Sequence, residues 1–259
     1  LNTSKKREAK MTDTSNINEM SEKYKKILDE GCIILDTETH TLNGLPIEIA
    51  YAPIEIEHGK LSLDKKKIFD QLYQVGQPIS YAAMAVHHIL ESDLADQPFY
   101  SEFQLPEQTQ YIIGHNVDYD ITAIAKCGVD TSKIKPICTL ALARRVWENA
   151  EAHNISALIY LISKGSDKAR EMLKGAHRAD ADIILTANIL MHIIHQLNIE
   201  NIEQLYIASE EARIPKNITF GKHKGTAIQD LPADYIQWLL RQDDLDLYLR
   251  KALETKLVR

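Results

Sequence analysis

Short apolar segments alternate with longer amphipathic ones along this chain, and the apolar segments predict strands. Five strands are expected, at residues 32–35, 47–56, 67–75, 111–114 and 135–138. Runs of roughly four to eight apolar, often β-branched residues bounded by turn residues are typical of strands. The first three follow one another with short turns, which favours an antiparallel meander.

Helical periodicity dominates the second half of the chain. Helical patterns are expected within residues 78–94 and along 117–127, 140–147, 157–161 and 182–197. Asn116 and Asn154 precede two of these patterns and are expected to cap the helices. Strands followed by strand–helix alternation predict the α/β class, with a mixed five-stranded sheet flanked by helices.

The N-terminal residues carry no such pattern. Residues 1–21 are polar and are expected to form a disordered leader, and residues 22–30 are expected to form a short helix before the first strand.

Length and composition limit the class of protein. A chain of 259 residues fits one large domain, or a core domain with a small appendage. No apolar run reaches the roughly 18 to 20 residues that cross a bilayer, so no membrane association is expected. The N-terminus lacks an apolar signal-peptide core, so nothing indicates export. Cys32, Cys127 and Cys138 are scattered and form neither a disulfide framework nor a zinc pattern, which predicts a reducing, cytoplasmic location.

The charge is unevenly distributed. The net charge of −7 argues mildly against bulk binding of polyanions, although bound cations would offset carboxylates locally. Residues 212–259 hold nine Lys or Arg against six Asp or Glu, a balance of +3, whereas the remainder carries −10. The C-terminal segment therefore differs in kind from the rest.

The first candidate site follows the first strand, at Asp36 and Glu38. Side chains alternate along a strand, so these two carboxylates project to the same side. Carboxylates held side by side repel one another and resist desolvation, and a cation between them removes both problems. The pair therefore indicates a divalent metal site, and the alternative is a solvated acidic turn.

The second candidate site contains Asp118 and Asp120. If Val117, Ile121 and Ile124 define the inner helix face, Asp120 lies about 60° from its centre and Asp118 about 100° away. Asp120 is therefore the better inward-facing residue. The alternative, for either residue, is an acid favoured by the dipole at the helix N-terminus.

The third candidate site is the segment from His177 to Asp182. Five residues on one helix are about 140° apart, so these two converge only if His177 lies on the preceding loop and Asp182 in the first turn. Periodicity does not choose between Asp180 and Asp182, because the following helix is apolar nearly all round. An unperturbed histidine has a pKa of about 6.5 and accepts protons near neutrality. The alternative is an exposed loop histidine without a role.

Together these three sites resemble the DEDDh family of 3′→5′ exonucleases. The motifs match in order and spacing as Asp36-Thr37-Glu38, His115-Asn116-x-x-x-Asp120 and His177-x-Ala179-x-x-Asp182. The resemblance continues through residues 82–89, 137–147 and 219–225, and so covers roughly residues 30–250. It implies a ribonuclease H-like fold.

The resemblance also implies the chemistry. Asp36, Glu38, Asp120 and Asp182 would hold two Mg²⁺ ions, for which Mn²⁺ substitutes, and His177 would be the general base. The substrate would be DNA with a free 3′ end, single- or double-stranded, and the products nucleoside 5′-monophosphates. Substrate contacts are expected from Thr37, Thr39, Leu42, Asn116 and Arg178. Many members have glycine where this chain has Thr41, which changes the loop expected to meet the 3′ end.

The C-terminal segment is expected to form a small domain at residues 201–259, beside an exonuclease domain at 22–200. Residues 220–225 form a basic turn between glycines, and residues 231–240 carry a small apolar core. The turn would contact DNA phosphates. The alternative is a compact helical appendage in which Trp238 is buried.

Two other functions fit the same motifs. An exoribonuclease would use the same site, because that site hydrolyses either backbone, and the sequence offers no residue that decides about the 2′-hydroxyl. The second alternative is a non-catalytic nucleic-acid-binding relative, but such a protein has no physical reason to keep mutually repelling carboxylates. The protein is expected to act in repair or end processing, as a monomer or a homodimer.

Overall fold

The computed structural model describes residues 31–218, 220–243 and 245–258. The leader predicted at 1–21, the helix predicted at 22–30 and Thr219 lie outside these ranges.

A mixed sheet forms the centre of the molecule. Its strands are β1 (Cys32–Thr39), β2 (Pro46–Glu57), β3 (Lys60–Leu63), β4 (Phe69–Leu72), β5 (Tyr111–Gly114) and β6 (Lys135–Cys138). The strand order is β3-β2-β1-β5-β6, and β4 also pairs with β2. Strands β2, β3 and β4 are antiparallel to their partners, whereas β5 runs parallel to β1 and β6 parallel to β5.

The α/β class and the mixed sheet are confirmed, but the sheet has six strands rather than the predicted five. The additional strand, β3, is only four residues long and is half-exposed, so it lacks the apolar run that marks a buried strand. It pairs with residues 54–57 of β2, and β4 pairs with residues 48–51. The predicted meander is therefore present as β1, β2 and β4.

The described part of the chain contains nine α-helices. They are α1 (Tyr81–His87), α2 (Val117–Ala125), α3 (Thr139–Val146), α4 (Ile155–Ile162), α5 (Asp167–Met172), α6 (Ala179–Leu197), α7 (Ile202–Arg213), α8 (Ala233–Leu240) and α9 (Leu247–Val258). Helix α6 begins three residues earlier than the pattern predicted, and the region predicted at 78–94 is only α1 with a short 3₁₀ turn after it.

Two asparagines that precede helices behave differently. Asn154 accepts a hydrogen bond from the backbone N–H of Ala157 at 2.9 Å, which confirms it as the cap of α4. Asn116 occupies the position before α2, but its side chain makes no capping hydrogen bond. Its backbone is left-handed, with φ 78°, whereas a capping side chain requires extended backbone. The prediction that Asn116 caps its helix is therefore wrong.

Each face of the sheet has its own apolar core. On one face Ile34 packs in a cluster with α4 and α6, and on the other Ile33 and Leu35 pack with α2. This follows from the alternation of side chains along β1. The direction of each residue at the end of β1 is set in the same way.

The C-terminal residues form a third cluster. Ile218, Ile236, Leu239, Leu249 and Leu253 are among its buried members. Trp238 is not buried in it, because its side chain is 48% exposed. The alternative of a buried Trp238 is therefore excluded.

Among the described residues, none of the helices combines the length and apolarity that crossing a membrane requires. Cys32, Cys127 and Cys138 are buried, and none of the three forms a disulfide.

Candidate active site

The carboxyl end of β1 places two carboxylates on the face that α6 covers. Asp36 lies two residues after Ile34, and Glu38 lies four residues after it. All three side chains therefore project from the same side of the strand, as the sequence predicted. Both carboxylates are half-buried. Carboxylate oxygens of Asp36, Glu38 and Asp182 lie within 4.8 Å of one another. The two residues of β1 therefore gain a third carboxylate from α6.

The structure distinguishes Asp182 from Asp180, which periodicity did not. Asp182 is buried in the first turn of α6 and belongs to the carboxylate cluster, whereas Asp180 is half-buried. His177 lies on the loop before the helix, as the convergence argument required. Its backbone is left-handed, with φ 69°, and its N–H lies 3.4 Å from Oδ1 of Asp182.

Helix α2 contributes the fourth carboxylate. Asp120 is buried, and its Oδ1 accepts hydrogen bonds from the Thr37 backbone N–H at 3.0 Å and the Thr37 hydroxyl at 2.9 Å. Thr37 points to the α2 face because it alternates with Asp36. Asp118 is exposed and pairs with Arg213 at 3.1 Å. The prediction that Asp120 faces inward and Asp118 does not is confirmed.

All four carboxylates line one cavity of about 540 Å³. Its other lining residues are Thr37, His115, Asn116, Tyr119, Asn154, Ile155, Ser156, Ala176 and His177. The residues come from β1, the β5–α2 junction, the start of α4 and the loop before α6. His177 is exposed, as the alternative of an exposed loop histidine supposed, but it also lines this cavity.

Burial is the largest cause of a raised pKa in all four carboxyl groups, and repulsion from neighbouring carboxylates adds to it. Burial is the largest cause for Asp36, followed by the charges of Asp120 and Asp182, and its pKa lies well above the usual range. The pKa of Glu38 is raised to about 8 by burial and by Asp182 and Glu48. Burial raises the pKa of Asp120 to about 7, against hydrogen bonds from Thr37, and that of Asp182 to about 6.

These carboxylates do not ionise together at low cost unless positive charge joins them. Clustered, buried, all-oxygen donors fit a hard divalent cation, because the cation repays the desolvation of the carboxylates and removes their repulsion. Asp36, Glu38 and Asp182 in particular form a group whose geometry suits a metal ion.

A half-buried ion pair lies directly beside the cluster. Glu48 of β2 pairs with Glu38 of β1 in the sheet register, and its side chain is completely buried. Arg178 donates from Nε at 2.8 Å and Nη2 at 2.6 Å to Oε1 of Glu48. The other oxygen of Glu48 accepts the backbone N–H of Ala179 at 3.1 Å. The pair connects β2 to the segment that carries His177.

A family model described as "Exonuclease" matches residues 33–190, which contain every residue of this site. The chain belongs to the Exonuclease family. This membership confirms the resemblance to DEDDh 3′→5′ exonucleases carried by the three motifs, and it makes the protein a nuclease. A separate model, named QSregVF_b and described by reference to a quorum-sensing-regulated virulence factor, matches residues 211–246.

Similar proteins agree with this membership. Exodeoxyribonuclease 10 of Escherichia coli strain K12 is 29% identical over 227 residues, which cover 85% of this chain and 96% of that protein. A DNA polymerase III subunit epsilon-like protein of Rhodobacter capsulatus is 26% identical over 175 residues, 64% of this chain and 24% of that protein. A solved structure of exonuclease X in complex with 5′ overhanging duplex DNA superposes with a TM-score of 0.51 at 28% identity, covering 69% of this chain and 99% of that one.

The predicted substrate-binding residues of this exonuclease differ in their exposure and in whether their side chains already make hydrogen bonds within the protein. Leu42 is 83% exposed, and Asn116 is exposed and lines the cavity. Thr37 donates its hydroxyl proton to Asp120, and the hydroxyl of Thr39 contacts the Thr41 carbonyl and the Tyr119 hydroxyl. The guanidinium of Arg178 is engaged by Glu48. A role for Thr37, Thr39 and Arg178 toward substrate therefore stays a prediction.

Sequence reasoning missed Glu48 and gave His115 no role. The signal for Glu48 is an acidic residue between two isoleucines of a strand. In the structure Ile47, Glu48 and Ile49 are all buried. The imidazole of His115 lies between the Thr139 hydroxyl, 3.0 Å from Nδ1, and the His153 carbonyl, 2.7 Å from Nε2. Burial lowers the pKa of His115, which favours the neutral ring in the cavity wall.

Proposed function

We propose that this exonuclease hydrolyses DNA from the 3′ end and releases nucleoside 5′-monophosphates, in repair or end processing. The observation that carries the proposal is the convergence of Asp36, Glu38, Asp120 and Asp182 on one cavity that also holds His177. The names of the relatives, an exodeoxyribonuclease and an exonuclease bound to duplex DNA, support DNA as the substrate.

Asp36, Glu38, Asp120 and Asp182 are proposed to hold two Mg²⁺ ions, which Mn²⁺ could replace. All-oxygen ligation suits these ions better than zinc. When bound, the ions supply charge neutralisation at the scissile phosphate and lower the pKa of a water molecule.

The side chains of the chain itself orient the reaction. Thr37 holds Asp120 through two hydrogen bonds, which fixes the carboxylate of α2 against the end of β1. His177 is proposed to accept the proton of the attacking water, since its exposed ring is reachable by solvent and lies in the cavity. Its backbone N–H faces Asp182, so the base and the carboxylate are positioned by the same turn.

Thr37, Thr39, Leu42, Asn116 and Arg178 remain the proposed substrate contacts. Leu42 is suited to contact the terminal base, since its apolar side chain projects into solvent. A free DNA 3′ end, in a single or a double strand, is the proposed partner of this site, and the chain is proposed to act as a monomer or homodimer in the cytoplasm.

We propose two domains, with the boundary after α7 rather than at residue 201. Leu205 of α7 belongs to the core cluster of the exonuclease domain, and the hydroxyl of Ser209 accepts the backbone N–H of Cys138 at 2.9 Å. Residues from Ile218 onward form their own cluster. The separate family match at 211–246 supports the same division.

The test uses 5′-labelled single-stranded DNA, duplex DNA and RNA of one sequence, each with Mg²⁺ or with EDTA. Expected is a ladder that shortens from the 3′ end of DNA with Mg²⁺ and an intact substrate with EDTA. DNA left intact in every condition overturns the proposal. RNA shortened while DNA stays intact makes the protein an exoribonuclease, and immediate release of the 5′ label overturns the polarity.

A further inference from the structure

A second cavity, outside the active site, lies in the C-terminal segment. It has a volume of about 490 Å³, and its lining residues are Phe220, Gly221, Lys222, Asp234, Tyr235 and Trp238. We refer to these six residues as the aromatic pocket. None of them lines the carboxylate cavity.

Aromatic rings form the walls of this pocket and remain accessible. Phe220 is 44% exposed and Trp238 is 48% exposed, whereas Tyr235 is buried. The rings of Tyr235 and Trp238 stack, with centroids 5.5 Å apart and planes 23° apart. The buried Tyr235 therefore supports Trp238 from one side, while about half of the Trp238 surface faces solvent.

A lysine lies over the ring of Tyr235 in the same pocket. Nζ of Lys222 is 5.3 Å from the centroid of Tyr235, and Lys222 is exposed. Lys222 follows Gly221, whose backbone passes close to Tyr235. Gly221 has φ +63°, and a Cβ at this position would lie 3.3 Å from the Tyr235 hydroxyl. A left-handed, crowded position favours glycine, so the turn holds Lys222 against the aromatic wall.

Supported aromatic faces beside a cation match the chemistry of an unpaired nucleotide. A nucleobase stacks on an aromatic ring whatever its identity, and its phosphate is attracted to a neighbouring lysine. A polyanion is favoured here by charge as well, because residues 212–259 carry +3 while the remainder carries −10. The exposed carboxylate of Asp234 also lines the pocket and repels a phosphate. Charge alone therefore does not select the ligand, and stacking on the aromatic rings supplies the preference for a nucleobase.

We propose that the aromatic pocket binds an unpaired nucleobase of single-stranded nucleic acid, which stacks on Trp238 while Lys222 contacts its phosphate. This inference rests on the proposed function, since the ligand is the class of polymer that the active site hydrolyses. The pocket would hold a strand at a second point, away from the carboxylate cavity.

Fluorescence tests the stacking directly. The chain has two tryptophans, Trp147 and Trp238, so the Trp147→Phe variant of the full chain reports Trp238 alone. Titration with a 12-nucleotide oligothymidylate in EDTA, which prevents hydrolysis, is expected to quench this emission. Unchanged emission at saturating oligothymidylate overturns the inference. Quenching by an acidic peptide but not by oligothymidylate also overturns it and makes the pocket a protein-binding site.

Variants test the two contacts by anisotropy of the labelled oligothymidylate. Trp238→Ala is expected to weaken binding about tenfold, whereas Trp238→Phe, which keeps a stacking ring, stays close to the parent. Lys222→Gln is expected to lower the slope of log affinity against log salt by about 0.7, the value for one phosphate contact on a single strand. Parental affinity in Trp238→Ala overturns the inference.

Two control variants match these changes outside the pocket. Ile207→Ala removes an apolar side chain that is 51% exposed, and Lys216→Gln removes one positive charge from a side chain that is 82% exposed. Neither is expected to alter binding, and equal losses in the controls overturn the assignment to the pocket. This test can be separated from the test of the proposed function. DNA that stays intact in the hydrolysis assay contradicts the proposed function. DNA that is hydrolysed by the parent, together with parental binding affinity in Trp238→Ala, contradicts only this inference.

Discussion

Arg178 and Glu48 form a charge-paired contact across 130 residues of sequence, with Nη2 of the arginine 2.6 Å from Oε1 of a completely buried carboxylate. Nε of Arg178 binds the same oxygen, and the Ala179 backbone N–H binds the other. The contact joins β2 to the residue after His177. It compensates a buried negative charge that otherwise adds to the repulsion on Glu38, where Glu48 raises the pKa and Arg178 lowers it.

Removal of this arginine is expected to destabilise the fold. Breaking a buried pair costs about 3–5 kcal/mol, but the Arg178 side chain is 45% exposed, so we expect Arg178→Ala to lose about 2 kcal/mol. The measurement is chemical denaturation, with Glu48→Gln and the double variant completing a cycle.

The control for this experiment is Arg145→Ala. Arg145 pairs with Glu211 at 3.0 Å, but both side chains are largely exposed, so a loss below about 1 kcal/mol is expected. Equal losses for the two arginines, or purely additive effects in the Glu48–Arg178 cycle, would contradict the coupling.

The two acids of α2 offer a matched pair of variants. Asp120→Asn weakens a proposed metal ligand, so we expect the rate of nucleotide release to fall at least about 100-fold. Asp118→Asn changes an exposed acid on the same helix turn, and its rate should stay within about threefold of the parent, because neither Asp118 nor its partner Arg213 lines the carboxylate cavity. Similar losses in both variants would remove the distinction between the two aspartates.

Replacement of His177 separates proton transfer from metal binding. His177→Ala should bind Mn²⁺ with the parental affinity in calorimetry, because no proposed ligand changes, while turnover falls about 100-fold or more. His192→Ala, an exposed histidine later in α6, is the control and should keep full activity. Undiminished turnover in His177→Ala would show that another group accepts the proton.

The pKa shifts predict how stability depends on pH without metal. Glu38 and Asp182 have folded-state pKa values of about 8 and about 6, above their ordinary values of 4.5 and 3.8. The folded state therefore holds these protons more tightly than the unfolded chain, and their contribution to stability is fully present below about pH 4 and is lost as the pH rises. In EDTA, the fall attributable to the site should extend from about pH 4 to pH 8.

Thermal unfolding across this pH range measures the effect. The Glu38→Gln variant, which cannot ionise at that position, should lose less stability between pH 6 and pH 8 than the parent, because Glu38 titrates at about 8. Added Mg²⁺ should raise the melting temperature most at the alkaline end, where the carboxylates are ionised. A parental pH slope in Glu38→Gln would contradict the shift assigned to this residue.

Local sequence determined the features that depend on periodicity and on neighbours in the chain. The two-residue repeat of a strand put Asp36 and Glu38 on one side, the helical repeat turned Asp120 inward rather than Asp118, and the cap at Asn154 needed only the following turn. These directions are set by the geometry of a single strand or helix, so they follow from the local sequence without reference to how the elements pack.

Tertiary structure alone decided the contacts that cross the fold. The family motif names Asp182, but its meeting with Asp36 depends on the packing of α6 on the face of β1 that carries Asp36. Glu48 acquired Arg178 because β2 places it opposite Glu38. The left-handed turn at Asn116 and the exposure of Trp238 likewise depend on how elements pack. Periodicity specifies which way a side chain points from its own element, whereas its partner depends on which strands and helices become neighbours.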